Sequence, residues 1–214
     1  MSMKTVLAAA GLLLSIACGG GGSANGSATF TGTVRGQSLS PKEVLSANAT
    51  IPTSAGSASV GAIIMTSQTN TCSNAAASKE AKNSQYFVIA LGELKIDGGN
   101  VTIIAPTGPG DFVVYAGGST TPAAKLAIIV SERTGGDCKD DAGQEAVGTA
   151  GTVRVTSISN GAYSGTFDIT LTKGDGSGNA VSGGSTDHVT GSFTAASCAS
   201  LGALVSTTRA TTCI

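Results

Sequence analysis

The sequence predicts an all-β chain, an antiparallel β-sandwich or a flattened β-barrel of roughly nine or ten strands. Three observations carry that expectation. From Tyr163 to Thr172 the odd positions are Tyr163, Gly165, Phe167, Ile169 and Leu171, and the even ones Ser164, Thr166, Asp168, Thr170 and Thr172. One face is apolar and the other hydroxylated, the period of a half-buried strand. The alternation returns from His188 to Ala195, where Val189, Gly191, Phe193 and Ala195 share the apolar face. Elsewhere short apolar runs alternate with turn formers, and no period of about 20 to 50 residues points to a solenoid or propeller.

In order along the chain, Ala28 to Gly36 reads as a first strand with Ala28, Phe30, Gly32 and Val34 on one face. Pro41 breaks it, and Lys42 to Ala47 reads as one turn of helix before Ser57 to Met65 resumes a strand. The polar stretch Thr66 to Ser84 holds Cys72, and its Ala and charged content between Asn74 and Lys82 suits a short helix. Tyr86 to Ile96 and Val101 to Ala105 form a hairpin about Asp97-Gly98-Gly99-Asn100, residues that accept positive φ. Pro106 and Pro109 bound the next loop, and Phe112 to Tyr115 and Lys125 to Arg133 are further apolar strands. The acidic loop Gly135 to Glu145 leads into a strand whose Val153 and Val155 point inward. Asn160-Gly161 turns that strand into the next. Lys173 to Gly184 is a Gly-rich excursion before the last strand.

A short phrase recurs within these strands. Tyr163-Ser164-Gly165-Thr166-Phe167 and Val189-Thr190-Gly191-Ser192-Phe193 share the order apolar, hydroxyl, Gly, hydroxyl, aromatic, and Phe30-Thr31-Gly32-Thr33-Val34 is a looser copy. An inward Gly lets a strand bend sharply, or lets a neighbouring ring lie over it. These positions are read as fold and not as a site.

The 214 residues carry a formal net charge of −1, and 41% are hydrophobic, enough for one domain with a proper core. Only 12% are charged, so Ser, Thr and Gly wet the surface, a composition common in exported β-proteins. Near-neutrality removes the basic footprint that nucleic acid requires.

The N-terminus reads as an address. Lys4 precedes an apolar run from Val6 to Ala17, too short to span a bilayer permanently, which makes residues 1–17 a secretory signal. Ile16-Ala17-Cys18 followed by Gly19-Gly20-Gly21-Gly22-Ser23 resembles the lipobox of bacterial lipoproteins, with Ser15 where that motif usually has Leu. The resemblance implies cleavage before Cys18, acylation of its thiol, and an outer-membrane destination because Gly19 is not Asp. Residues 18–27 then form a Gly/Ser tether of mean reach about 15 to 18 Å, and 28–214 a single β-domain.

Cys72, Cys138, Cys198 and Cys213 remain, an even number suited to an oxidising compartment and open to three pairings. The short excursion after Cys198 favours Cys198 with Cys213, leaving Cys72 with Cys138. Those closures are worth about 3 and about 4 kcal/mol in the chain-entropy model. A zinc site lacks a close CxxC pair and has one His only.

Pro109-Gly110-Asp111-Phe112-Val113-Val114, Cys138, Gly151-Thr152-Val153-Arg154-Val155-Thr156-Ser157, Gly165-Thr166-Phe167-Asp168 and the closing Val189 to Cys198 are similar to a group of uncharacterised bacterial lipoproteins. The similarity covers the C-terminal half and, more weakly, Gly32 to Pro41. It implies fold and location and lends no activity.

Few residues suggest chemistry. His188, the single histidine, follows Asp187 on a wet strand face, whereas general acid–base work needs a pocket and an orienting partner. Asp137, Asp140, Asp141 and Glu145 are the densest carboxylates and the weak calcium candidates, at no EF-hand spacing and interrupted by Lys139. Asp175-Gly176-Ser177-Gly178-Asn179 opens like a calcium loop, yet Ala180 and Thr186 stand where Gly and Glu belong. No GxSxG elbow or SxxK motif occurs, Trp is absent, and Tyr163 faces inward, leaving Tyr86 and Tyr115 with nothing around them that favours a site. The expectation is therefore a non-catalytic, lipid-anchored interaction or structural module without a cofactor, its protein or small-ligand partner unspecified. The alternative is a small-ligand or calcium-binding barrel in which inward glycines leave space.

Overall fold

Strands whose alternate side chains are apolar must hide one face, and here they do so by curling into a ring. The structure, a computed structural model, describes residues 25–53, 56–97, 100–117, 122–201 and 212–214. The expected signal segment, Cys18 and most of the expected tether lie outside the described residues. The strands are β1 (Ser27–Thr31), β2 (Glu43–Thr53), β3 (Gly56–Thr66), β4 (Lys79–Glu80), β5 (Gln85–Asp97) and β6 (Asn100–Ile104). They continue as β7 (Gly110–Val114), β8 (Lys125–Arg133), β9 (Ala146–Ser159), β10 (Ala162–Lys173), β11 (Thr186–Ser197) and β12 (Thr212–Cys213). Ten belong to one sheet, in the order β1-β11-β10-β9-β7-β8-β5-β3-β2 with β6 on β5. A further pairing of β11 with β2 closes eight of them into a barrel, leaving β1 and β6 as additions.

The all-β expectation holds, and the sandwich does not. Two parallel pairs, β7 with β8 and β11 with β2, also make the barrel mixed instead of antiparallel throughout. Bends in the long strands explain the curl. β9 slips register against β10 at Ser164/Gly165 and at Thr170/Leu171. Gly151 has φ +119, and a Cβ there would stand 2.1 Å from the Asp168 carbonyl oxygen. Such bulges increase local twist and turn an open sheet back on itself.

The core fills the ring. Tyr163, Phe167, Ile169 and Leu171 of β10 and Val189, Phe193 and Ala195 of β11 are all buried, as their alternation demands. Phe30, Phe87 and Phe167 meet with ring centroids 5.2 to 5.6 Å apart. Val34 and Leu39, from the link between β1 and β2, join the same core. The repeated glycines act as expected in two of three cases: a Cβ at Gly165 would meet the Phe193 ring at 2.8 Å, and one at Gly191 the Phe167 ring at 2.6 Å. Gly32 differs. The strand has already ended at Thr31, and Gly32, at φ +108, turns the chain against the His188 carbonyl.

Lys42 to Ala47 is strand and not helix, because β2 begins at Glu43. Val44 packs inside the barrel while Leu45 packs outside it, under α1 (Thr71–Ala76) and the turn Ala199–Leu201. Burial on both faces erases the alternation that would have marked a strand. The short helix comes three residues early, and Lys79–Glu80, expected in it, forms β4. β3 pairs β5 only from Gly61 onward and β6 pairs β5 from Glu93 onward, so Ala49 and Val60 pack with Ala90, Ile103 and Ile128 in a second cluster.

Closure at β11 and β2 rests on two residue pairs, Ala196 with Leu45 and Ser197 with Ser46. Side chains reinforce it. Ser46 Oγ donates to the Gly161 carbonyl at 2.8 Å, Cys198 N–H donates to the Ser46 carbonyl at 2.7 Å, and Tyr163 Oη donates to Asn48 Oδ1 at 2.7 Å. The disulfides are Cys72–Cys198 and Cys138–Cys213, so all four expected cysteines are bridged but the expected partners are exchanged. The reason is the stagger of the barrel, which sets the end of β11 beside the start of β2 and so beside α1. Cys213 instead travels with β12 to pair parallel with β4.

Candidate functional site

Polar chemistry gathers in three places, and the first is the outer face of β7, β9, β10 and β11. His188 Nε2 lies 2.8 Å from Asp168 Oδ1 across the β10–β11 pair, and both side chains are exposed. Asp187, the sequence neighbour, turns elsewhere and accepts the Arg35 backbone N–H at 2.9 Å. The His–Asp pair therefore stands in water. Two strands away Arg154 grips Asp111 with both arms, Nε to Oδ1 at 2.7 Å and Nη2 to Oδ2 at 3.0 Å. That hydrogen bonding holds the Asp111 carboxyl below its ordinary value and the Arg154 guanidinium above its own.

The second place is the acidic loop, whose calcium candidates do not converge. Asp137 accepts the Lys139 backbone N–H at 3.2 Å, which lowers its carboxyl, and pairs with Lys139 Nζ at 3.6 Å. Asp140 bridges backbone with Thr134, and Asp141 caps the turn Ala142–Gln144 by accepting Gly143 N–H at 3.0 Å. Glu145 points the other way. It is buried, and its Oε1 accepts the N–H groups of Gly176 at 3.3 Å and Gly178 at 3.2 Å. The second calcium-like stretch thus folds around the last residue of the first, a pairing invisible in the sequence. Asp175 closes its own loop, accepting from Ser177 N–H at 2.8 Å and Asn179 N–H at 3.2 Å. Burial pushes the Glu145 carboxyl up against the pull of the two amides, and Glu132 and Asp175 push it further. Among the described residues no group of three His, Cys, Asp or Glu is placed to hold a metal ion.

The third place was missed by sequence reasoning altogether. Glu43, buried at the start of β2, receives the N–H groups of Asn70 at 2.6 Å and Thr71 at 2.8 Å on its two oxygens, capping α1. An acidic residue just ahead of Val44-Leu45-Ser46-Ala47 gave no hint of that partner.

Among the described residues the barrel interior offers no corresponding polar set. Tyr163 and Pro106 close over Gly61, where a Cβ would meet Tyr163 Oη at 2.4 Å and Pro106 Cδ at 3.1 Å. Burial raises the Tyr163 hydroxyl above its ordinary value. The expected inward Tyr163 is therefore a core residue with one polar contact, and Tyr86 is buried in the outer cluster under α1. Comparison with known proteins adds no family: no family model matches the chain, and no curated protein or solved structure matches it either.

Proposed function

We propose that the chain is a lipid-anchored extracytoplasmic β-barrel that works through its outer surface, as a non-catalytic interaction or structural module of the bacterial outer membrane. The observation that carries this reading is the packed interior. The glycines that would have left room for a ligand are covered by Phe167 and Phe193, and the polar groups face water or hold loops. A small eight-stranded barrel filled in this way is a scaffold and not a cup. Two disulfides that tie distant parts of the chain support an oxidising compartment. The lipobox-like Ile16-Ala17-Cys18 supports the anchor.

Intact mass of the membrane-extracted protein tests the anchor. The expected product starts at Cys18 with added acyl mass, and Cys18→Ala is expected to release the chain from the membrane; a soluble wild-type product cut elsewhere rules the anchor out. The small-ligand and calcium alternative is tested by thermal melting. No shift is expected in millimolar calcium, and stabilisation that saturates with calcium would replace the scaffold reading.

A further inference from the structure

The two disulfides are held in different ways. Cys72–Cys198 is built into the wall: Cys198 is buried with Leu45, Ile64 and Leu201, and its N–H donates to the Ser46 carbonyl at the seam. A thiolate reaching that bridge has to shed its water in an apolar layer, which costs a charged group heavily. Cys138–Cys213 lies off the barrel, because β4 and β12 form a small sheet of their own. Thr212, Cys213 and Ile214 are all exposed, so no burial of apolar side chains fixes them. Besides the sulfur link, three backbone hydrogen bonds among the described residues hold them. Thr212 N–H donates to the Ser78 carbonyl at 3.3 Å, Ile214 N–H to the Glu80 carbonyl at 2.9 Å, and Lys82 N–H to the Ile214 carbonyl at 2.9 Å.

We propose that Cys138–Cys213 is an exchange bridge, which captures a thiol from the surroundings on Cys213 and frees β12 from β4 while the barrel stays closed. The inference rests on the oxidising compartment of the reading above and not on the lipid anchor. The step balances without a further oxidant or reductant. A thiolate attacks Cys213 Sγ, the new sulfur–sulfur bond forms as the Cys138–Cys213 bond breaks, and the electron pair leaves on Cys138 Sγ, which takes a proton from water. One disulfide replaces another. Attack falls on Cys213 because that residue is exposed and Cys138 is buried. The released Cys138 has a partner waiting. Its Sγ lies 3.2 Å from the Glu80 carbonyl oxygen, to which a thiol donates a hydrogen that a bridged sulfur lacks. The same oxygen accepts the Ile214 N–H in the bridged form, so the thiol takes up an acceptor that the departure of β12 vacates. That bond stabilises the opened form and holds Cys138 protonated, the state that does not attack back. The incoming group is a thiolate of a small molecule or of a protein cysteine, two sources that differ in size.

The oxidised full chain is titrated with reduced glutathione and, in parallel, with a thiol-terminated polyethylene glycol, then quenched with iodoacetamide and mapped by mass spectrometry. The expected product carries glutathione on Cys213 and the alkyl group on Cys138. Cys72–Cys198 is expected to stay closed up to thiol concentrations about tenfold higher. Capture of the polymer as well assigns the site to protein cysteines, and capture of glutathione alone assigns it to small thiols. Hydrogen exchange follows the strand: the Lys82 amide is expected to lose protection on capture while the β9–β10 ladder keeps it. Cys213→Ser is expected to show the fast Lys82 amide without added thiol and to take up no glutathione. Opening of Cys72–Cys198 at the same thiol concentration, glutathione on Cys138, or a Lys82 amide still protected after capture overturns the proposal. Alkylation of Cys72, Cys138, Cys198 and Cys213 before any thiol is added overturns the oxidising compartment as well, a result distinct from bridges that are present and do not exchange.

Discussion

Gly191 shows how much a single residue can settle. A Cβ at that position would stand 2.1 Å from the Thr29 carbonyl oxygen and 2.6 Å from the Phe167 ring, so Gly191→Ala has to displace either β1 or the aromatic cluster. A loss of about 1–3 kcal/mol is expected in chemical denaturation, the usual cost of overfilling a packed core. Glu145 gives a second prediction, on pH. Its carboxyl is raised in the folded state, so folding holds a proton that the unfolded chain releases sooner. Stability is then greatest below the ordinary glutamate range and declines as pH climbs through the interval above it. Glu145→Gln keeps an oxygen for Gly176 and Gly178 and removes the charge, so it is expected to flatten that decline and to leave stability at pH 4 unchanged. Urea unfolding at several pH values checks both statements. The role of Gly191 was legible, because alternation placed it on the buried face between aromatics. That of Glu145 was not, since its partners lie some thirty positions away in a stretch that resembled a metal loop.

Elements with one wet face, β10 and β11, could be read from the sequence to within a residue or two, and β8 runs from Lys125 to Arg133 as its apolar run predicts. β2 could not, because Val44 and Leu45 are both buried on opposite faces and the period disappears. The pairing of cysteines failed for a related reason: proximity along the chain said nothing of the stagger that carries Cys198 to α1. That bridge closes a separation of 126 residues, worth about 5 kcal/mol in the chain-entropy model before any native strain. The double variant Cys72→Ser with Cys198→Ser is accordingly expected to lose about 2–5 kcal/mol. Hydrogen exchange is expected to quicken first at Leu45, Ser46 and Ala196, where two residue pairs hold the seam, while the β9–β10 ladder stays protected.

At the scale of the molecule, composition and alternation were enough for an all-β fold of about ten strands, but not for a choice between two facing sheets and a ring. That choice depends on where the last long strand finds its partner, which is a non-local contact without a local signature.

The parallel seam between β11 and β2 has a further consequence. A polypeptide delivered from its N-terminus exposes β2 long before β11 exists, and Leu45, Ile64 and the unpaired groups along β2 stay bare in the meantime. Such an interval favours strangers over the proper mate. If the chain is exported as proposed, slowing oxidation lengthens the exposure, and a holdase that shields sheet rims matters most before β11 has arrived.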